Sequence, residues 1–381
     1  FFQAEDAIRD PLWSRGLGDV YKRQDTFEFP RTGKKLRNRA VVAAMTNKQS
    51  NEVGSLSDEE INWLIRRAEG GFGIVTTAAT HVVPEGQGWD GEMGVWGDHQ
   101  LPGLTRLVAG IKEQGAVSLA QIFHGGMRCP QRLTGVQPVS ASINPTSDSD
   151  NGETRALEDS EIEELVEAFA TAAARCEKAG FDGVEIHGAH GYLVCQFLGT
   201  ETNRREDRWG GSLENRARFL LQIIERIRQV TDDDFLLGVR ISPEYDKIGV
   251  LLEDSLDLVD MLVESGIDFL HISCWDCFTP PAHHDDSRML TEIFAERLAN
   301  RLPMITCGAV WSTAQAQEVM DQGADLVAVA RSAIGHADWA RHLGDADYDP
   351  QRPPFTAEHL LAEGLSEKFV DYMRAWQGFV V

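Results

Sequence analysis

Short apolar runs alternate with amphipathic stretches along most of the chain. Eight runs rich in valine, isoleucine and leucine lie at residues 41–45, 73–77, 117–123, 183–186, 236–241, 269–273, 304–306 and 326–329. Their length and composition are typical of buried strands. The stretches between them have helical periodicity, which is clearest from about Asp159 to Gly180. Strands that alternate with helices predict an α/β protein with a parallel sheet, and eight such units predict a closed (β/α)8 TIM barrel.

Local signals agree with this assignment. Ser57 and Glu60 have the spacing of a capping box ahead of the apolar positions that begin at Ile61, and Gly70 follows as a stop signal. The alternative fold for alternating strands and helices is an open, doubly wound sheet. Such sheets bind nucleotides at a GxGxxG turn after an early strand, and this chain has no such turn there.

The first 24 residues differ in character from the rest. They have neither a basic start followed by an apolar stretch nor a small-residue cleavage site, so they do not predict a signal peptide. We interpret residues 1–24 as an extrinsic leader that resembles translated adaptor read-through. Residues 25–381 are then expected to form a single barrel domain with a C-terminal extension.

Composition limits the class of protein. The formal net charge of −24 opposes binding to nucleic acid or to an anionic membrane, so neither is an expected partner. No apolar run approaches the about 18 residues of a membrane span. The six cysteines are scattered, and only Cys274 and Cys277 form a Cys-x-x-Cys. This pattern predicts reduced thiols of a cytoplasmic protein rather than disulfides or an iron–sulfur cluster. The sequence leaves the oligomeric state open and allows a homo-oligomer.

The candidate chemistry lies in one stretch, residues 181–219. A buried strand ends near His187, and His190 and Tyr192 follow within a few positions. Two imidazoles and a phenol at the carboxyl end of a strand predict a site that handles protons. A zinc site is disfavoured because the chain has no HExxH motif and no paired Cys-x-x-Cys pattern to supply further ligands, so no metal is expected. The remaining alternative is a pair of structural core histidines.

This stretch resembles the signature of the old yellow enzyme family of FMN-dependent oxidoreductases. The matching features are His-x-x-His followed by Gly-Tyr-Leu, then Asn-Arg-Arg, then Gly-Gly-Ser-x-Glu-Asn-Arg. The resemblance covers residues 25–340 and implies a TIM barrel that binds FMN noncovalently and takes hydride from NAD(P)H. We expect His187 and His190 to bind an oxygen of the substrate and Tyr192 to be the catalytic proton donor.

The resemblance also implies roles for the ends of other strands. Gln121 would bind the pyrimidine edge of the flavin, and Arg240 would stabilise negative charge beside that edge; an internal ion pair is the alternative role for Arg240. Ala44 and Ala330 stand where the family has Pro and Gly. The predicted cofactor-binding residues are Ala43, Ala44, Met45, Thr46, Ala79, Gln121, Arg240, Gly308, Ala330 and Arg331.

Other positions bear on the substrate. Lys48 stands where some relatives carry a substrate-facing Tyr, and Trp275 follows the sixth strand, in a loop that could line the substrate mouth or be solvated. Residues 124–154, which are rich in Gly, Pro, Ser, Asn and Asp, could form a lid.

The function expected from these features is an FMN-dependent NAD(P)H oxidoreductase that reduces the C=C bond of an activated alkene, a small electrophile. One rival is an NAD(P)H oxidase, quinone reductase or nitroreductase of the same fold. A more distant rival is a phosphate-binding lyase or isomerase barrel, which a strand-end lysine placed for a Schiff base would favour, and none is apparent. A flavin-binding protein without catalysis would need neither Tyr192 nor the two histidines.

Overall fold

The structure is a computed structural model that describes residues 23–283 and 286–381. Within these residues, eight parallel strands close into a barrel, and the last strand pairs with the first through Val327 and Ala40. The predicted TIM barrel is therefore confirmed. The strands are β1 (Ala40–Val42), β2 (Ile74–His81), β3 (Val117–Phe123), β4 (Gly183–Gly188), β5 (Leu236–Ile241), β6 (Phe269–Ser273), β7 (Met304–Cys307) and β8 (Leu326–Val329).

Helices surround the barrel and continue after it. In chain order they are α1 (Asp58–Glu69), α2 (Leu101–Glu113), α3 (Gln131–Thr134), α4 (Asp159–Ala179), α5 (Leu193–Leu198), α6 (Leu213–Val230), α7 (Leu252–Glu264), α8 (Leu290–Leu298), α9 (Thr313–Asp321), α10 (Arg331–Gly335), α11 (Ala357–Ala362) and α12 (Glu367–Arg374). The predicted start and stop of α4 agree with the structure, where Gly180 ends the helix at φ +99°.

The capping box predicted for α1 is only half formed. The Ser57 hydroxyl accepts a hydrogen bond from the Glu60 N–H at 3.1 Å. The Glu60 side chain does not return to the helix start. Its buried carboxylate instead accepts hydrogen bonds from Asn47 Nδ2, at 2.8 Å, and from the Ser50 hydroxyl. Glu60 therefore holds the segment after β1, and the second half of the prediction was wrong.

Strand β2 is longer than the sequence indicated. Its pairing with β3 shifts register between Thr76 and Ala79, and the ladder then continues to His81. The Thr77 hydroxyl fills the gap by accepting a hydrogen bond from the Gln121 N–H at 3.1 Å. Ala79 consequently lies within the strand rather than at its end.

The amino-terminal half of the barrel interior is apolar. A two-stranded ribbon, Phe27–Glu28 paired with Lys35–Leu36, covers that end, and the Phe29 ring lies 5.9 Å from the Phe269 ring. Gly238 makes room for Phe269, because a Cβ at that position would lie 2.0 Å from the ring. Polar inward residues are thereby confined to the carboxyl half. The apolar inward residues include Val41, Ile74, Val117, Leu119, Leu236, Ile305 and Leu326.

The segment after β8 is part of the same body. Phe369 of α12 packs on Trp63 of α1 with ring centroids 5.3 Å apart. The buried Arg67 guanidinium donates to the carbonyl oxygens of Ala333, Ile334 and Glu363. The C-terminal extension is thus fixed to the barrel through α1.

Most of the predicted leader, residues 1–22, lies outside the described residues. Arg23 is described, and its side chain is buried and donates a hydrogen bond to the Thr313 carbonyl. The main-chain carbonyl of Arg23 accepts from the Arg39 N–H at 3.3 Å. Residue 23 therefore packs on the barrel. Among the described helices, none is both long enough and apolar enough to cross a membrane.

Candidate active site

The turn after β4 brings the three predicted catalytic residues together. Val184 and Ile186 of β4 pack outward on the helices, so His187 lies on the inward side of the strand. His190 adopts φ +60°, and its N–H donates to the Ser242 hydroxyl at 3.0 Å. Tyr192 then caps the start of α5.

Ring distances define the resulting cluster. The His187 ring centroid lies 4.9 Å from that of His190 and 5.0 Å from that of Tyr192. Phe123 packs edge-on against Tyr192 at 5.0 Å, and Trp89 lies beyond at 6.3 Å. One phenol and two imidazoles thus occupy one wall at the carboxyl end of the barrel.

Hydrogen bonds assign a tautomer to each histidine. The Ala189 N–H donates to His187 Nδ1 at 3.3 Å, which places the ring proton of a neutral His187 on Nε2. Ser273 Oγ accepts from an Arg240 N–H at 3.1 Å and lies 2.7 Å from His190 Nε2. We assign the Ser273 hydrogen to the bond with Nε2, which places the His190 proton on Nδ1. Each ring keeps one N–H without an acceptor among the described residues.

All three groups are neutral near pH 7. Burial, reinforced by neighbouring cations, lowers the pKa of His187 and of His190 well below the usual value. Burial raises the pKa of the Tyr192 phenol to about 12. The cluster consequently offers two N–H donors and one protonated phenol.

A charged network lies beneath this cluster inside the barrel. Glu185 accepts hydrogen bonds from Gln121 Nε2 and from His271 Nδ1, each at 2.7 Å. Burial opposes both charges, but their attraction lowers the pKa of Glu185 and raises that of His271, so the two form an ion pair. The sequence interpretation missed Glu185 and His271. Strand alternation could have indicated this, because Glu185 stands two positions before His187 on β4 and so points to the same, inward side.

Arg240 lies at the top of this network. Its guanidinium donates to the Ala44 carbonyl at 3.3 Å and to Cys307 Sγ at 3.2 Å. Burial opposes ionisation of the Cys307 thiol, but the charges of Arg240 and His271 outweigh it and lower the pKa to about 6. Among the described carboxylates none lies within ion-pair distance of Arg240, but its contact with Cys307 leaves the internal ion pair open as an alternative role. Its buried Nε–H has no acceptor among the described residues.

The ends of β1 and β2 contribute further predicted site residues at the carboxyl end of the barrel. Ala43 and Met45 are buried, whereas Ala44 and Thr46 are partly exposed. Ala79 packs with Phe123 and Tyr192.

Lys48 lies where the C-terminal segment meets the site. It adopts φ +57°, and its Nζ lies 5.0 Å from the centroid of the Tyr372 ring on α12. Tyr372 was not among the predicted site residues. Because it lies about 180 residues beyond Tyr192 in the printed sequence, no local motif could have identified it.

The ends of β7 and β8 border a separate cavity of about 590 Å³. Arg331, the first residue of α10, lines this cavity and makes no ion pair with a described carboxylate. Ala330 precedes it as the helix cap. Gly308 has φ +145°, and a Cβ there would lie 2.8 Å from the Cys274 carbonyl, so the backbone requires glycine. Trp275 is 83% exposed and lines this cavity rather than the histidine and tyrosine cluster.

Residues 124–154 are held firmly against α5. Gln196 Oε1 accepts from the Met127 N–H at 3.1 Å and from the Ser140 hydroxyl at 2.9 Å, and its Nε2 donates to the Gly191 carbonyl at 2.8 Å. The segment carries Arg128 to Tyr192, with the guanidinium carbon 4.4 Å from the ring centroid. Arg128 was also missed, because only the folded turn brings it to the cluster.

The donor set fits FMN. A phosphate needs a cation and backbone N–H groups, and Arg331 lines the same cavity as Ala309, the residue after Gly308. The flavin ring needs donors at its pyrimidine edge, and the unsatisfied Nε–H of Arg240 is available there. Gln121 directs its amide hydrogen at Glu185, so its Oε1 can accept from the flavin ring.

Comparison with known proteins decides the family. The sequence profile of the NADH:flavin oxidoreductase / NADH oxidase family matches residues 31–349. The chain belongs to this family. The resemblance to the old yellow enzymes is thereby confirmed, and the protein is an FMN-dependent NAD(P)H oxidoreductase.

Individual relatives agree with this assignment. The probable NADH-dependent flavin oxidoreductase YqiG of Bacillus subtilis (strain 168) is 38% identical over 323 residues, which span 83% of this chain and 86% of YqiG. An NADPH dehydrogenase of Halalkalibacterium halodurans is 34% identical over 312 residues, which span 81% of this chain and 90% of the relative. The structure of the old yellow enzyme homologue from Zymomonas mobilis has a TM-score of 0.77 at 26% identity and covers 91% of this chain and 99% of its own. Morphinone reductase in complex with tetrahydroNAD has a TM-score of 0.75 at 26% identity, with 92% and 96% covered.

Proposed function

We propose that this oxidoreductase reduces the C=C bond of a small electrophilic alkene such as an enone. The observation that carries the proposal is the protonated phenol of Tyr192 within 5.0 Å, centroid to centroid, of the neutral His187 ring. Reduction of an activated alkene needs polarisation of its oxygen and protonation of a carbon, and this cluster has groups for both.

The residues divide these tasks. The His187 Nε2–H and the His190 Nδ1–H donate to the carbonyl oxygen of the substrate and draw electron density from the alkene. FMN, when bound, would supply the hydride chemistry between NAD(P)H and the β-carbon of the substrate. Tyr192 gives its phenolic proton to the α-carbon. Gln121, Arg240, Gly308 and Arg331 would hold the cofactor, together with Ala43, Ala44, Met45, Thr46, Ala79 and Ala330.

The walls of the site favour small uncharged substrates, and the free cysteines favour a reducing compartment. Its walls at Phe123, Trp89 and Ala79 are apolar and close to the cluster. All six cysteines are unpaired and buried, which suits a cytoplasmic enzyme. We therefore propose cytoplasmic action on small electrophiles, with Lys48 at the edge of the substrate site.

The two half-reactions test this proposal. In Tyr192→Phe, flavin reduction by NAD(P)H should stay near the parent rate, and enone reduction should fall by about 10²–10⁴-fold, the usual contribution of a general acid. Quinones and nitro compounds need no carbon protonation and should lose little rate. Stopped-flow measurement with each acceptor separates these results. A Tyr192→Phe enzyme that reduces enones at the parent rate would remove the proton-donor role and favour the oxidase, quinone reductase or nitroreductase alternative.

A further inference from the structure

A cation is held against the ring of the proposed proton donor. The guanidinium carbon of Arg128 lies 4.4 Å from the centroid of the Tyr192 ring. Its Nη1–H donates to the His190 carbonyl at 2.9 Å. The 3-10 turn that carries it, Gly126–Arg128, is fixed to α5 through Gln196. Two anchors, one on the backbone beside His190 and one on α5, therefore keep the charge on this ring.

Several other titratable groups surround the Tyr192 ring. Burial raises the pKa of Glu92 and of Cys129 well above their usual values, which disfavours a negative charge on either group. The two histidines are neutral, as described above. The titratable groups that face Tyr192, besides Arg128, are Glu92, Cys129, His187, His190 and Tyr372. Burial raises the pKa of Tyr192, and Arg128 is the neighbouring side chain whose charge opposes this rise.

Arg128 also has no described carboxylate to neutralise it. Its neighbour Arg132, on α3, pairs with Asp90 at 2.7 Å. No described Asp or Glu lies within ion-pair distance of Arg128, although the chain carries a net charge of −24. Arg128 is exposed to solvent, and its charge opposes the burial-driven rise in the pKa of Tyr192 and adds to the lowering of the pKa of both histidines.

We propose that Arg128 is a positioning residue that stabilises the negative charge left on the Tyr192 oxygen when the phenol protonates the substrate. The inference rests on the proposed function. In the step, the phenolic O–H bond breaks, and the electron pair of the substrate enolate forms a new C–H bond at the α-carbon. The phenolate that remains lies beside the guanidinium until water returns the proton. A cation within about 6 Å of an aromatic ring favours this anion.

A probe inside the phenol measures the effect directly. Replacing Tyr192 with 3,5-difluorotyrosine in the FMN-loaded protein lowers the phenol pKa into an accessible range and supplies a fluorine NMR signal. Adding Arg128→Met should raise that pKa by about 1, because an opposite charge is removed from the ring. Arg128→Lys should restore most of the difference. Arg132→Met, which removes a nearby but ion-paired cation, should leave the pKa unchanged.

Kinetics supply the second readout, with Tyr192 intact. Arg128→Met should slow enone reduction by about tenfold, a fraction of the 10²–10⁴-fold that a general acid contributes, and should increase the solvent deuterium isotope effect on that step. Flavin reduction by NAD(P)H and the rate with quinones should change less than about twofold, which also shows that the variant is folded and loaded.

The outcomes separate the two proposals. Equal phenol pKa values in the Arg128→Met and Arg132→Met proteins would overturn the role of Arg128, whatever the substrate. A raised pKa in an enzyme whose parent form does not reduce enones would leave the Arg128 contact established and refute the alkene proposal. A uniform loss with all acceptors, without a change in the phenol pKa, would show that Arg128 acts only on the structure of the turn.

Discussion

Inside the barrel, the Nε2 amide of Gln121 donates a hydrogen bond of 2.7 Å to the carboxylate of Glu185. Because the amide hydrogen is directed at the carboxylate, the orientation of Gln121 is set and its carbonyl oxygen is available to the flavin. The second carboxylate oxygen binds His271, also at 2.7 Å. Glu185 thus connects Gln121, which would contact the pyrimidine edge of the flavin, to the buried charge of His271.

Glu185→Gln should weaken FMN binding. The variant loses the charge that fixes Gln121 and that pairs with His271, so we expect the dissociation constant of FMN to rise by about tenfold, equivalent to about 1.4 kcal/mol. Titration of the FMN-free protein, followed by quenching of flavin fluorescence, measures the constant.

The control for this prediction is Glu225→Gln, since Glu225 is exposed on the outer face of α6. It should bind FMN as the parent does. If Glu185→Gln also binds FMN with parent affinity, the Glu185 contact has no part in holding the cofactor.

The sequence predicted the barrel because each strand is a short apolar run that only a buried parallel sheet accommodates. It also predicted that His187, His190 and Tyr192 lie together, since they are only a few positions apart in the chain. Glu185 was missed because one carboxylate within an apolar run gives no sign of its partners. Gln121 is 64 residues away and His271 86 residues away, so only barrel closure brings them together.

The contacts of the Ser273 hydroxyl predict that this residue affects ligand binding. Ser273→Ala removes the donor that keeps the His190 proton on Nδ1, and it removes an acceptor of Arg240. His190 can then present either nitrogen to a ligand. We expect phenols that mimic the substrate oxygen to bind about fivefold more weakly, which corresponds to about 1 kcal/mol for one hydrogen bond. Perturbation of the flavin absorbance on phenol titration gives the constant.

Ser265→Ala is the matched control, because the Ser265 hydroxyl bonds to the Leu262 carbonyl at the end of α7. Phenol affinity should be unchanged in this variant. Unchanged affinity in Ser273→Ala as well would show that the His190 tautomer does not depend on Ser273.

Glu60 predicts a dependence of stability on pH. Burial raises the pKa of its carboxyl above the usual value, although hydrogen bonds from Ser50 and Asn47 oppose this. A raised pKa in the folded state means that the stabilising contribution is complete below the pKa of the unfolded chain and is lost as pH rises through the folded pKa. A pKa that is higher by 1 in the folded than in the unfolded chain corresponds to about 1.4 kcal/mol of stability. Glu60→Gln cannot ionise and should escape this loss.

Melting temperatures measured between pH 4 and pH 9 test the sign. The melting temperature of Glu60→Gln relative to the parent should increase with pH across that range. Glu59→Gln, at an exposed position next in the same helix, should follow the parent at every pH. If the difference in melting temperature between the parent and Glu60→Gln does not change with pH, the raised pKa of Glu60 is contradicted.

Arg23 sets the boundary of the predicted leader. The sequence placed this boundary after residue 24, whereas the structure buries the Arg23 side chain and directs it at the Thr313 carbonyl. Removal of residues 1–22 should leave the melting temperature unchanged, because that segment has no helical or strand periodicity. Removal of residues 1–24 should cost about 1–3 kcal/mol, the usual cost of leaving a buried polar group unpaired, and should lower the melting temperature by several degrees.

Arg23→Met in the full chain separates the effect of the side chain from the effect of chain length, and it should reproduce most of the loss. Equal melting temperatures for the two truncated proteins would show that Arg23 contributes nothing to stability and would restore the boundary at residue 24.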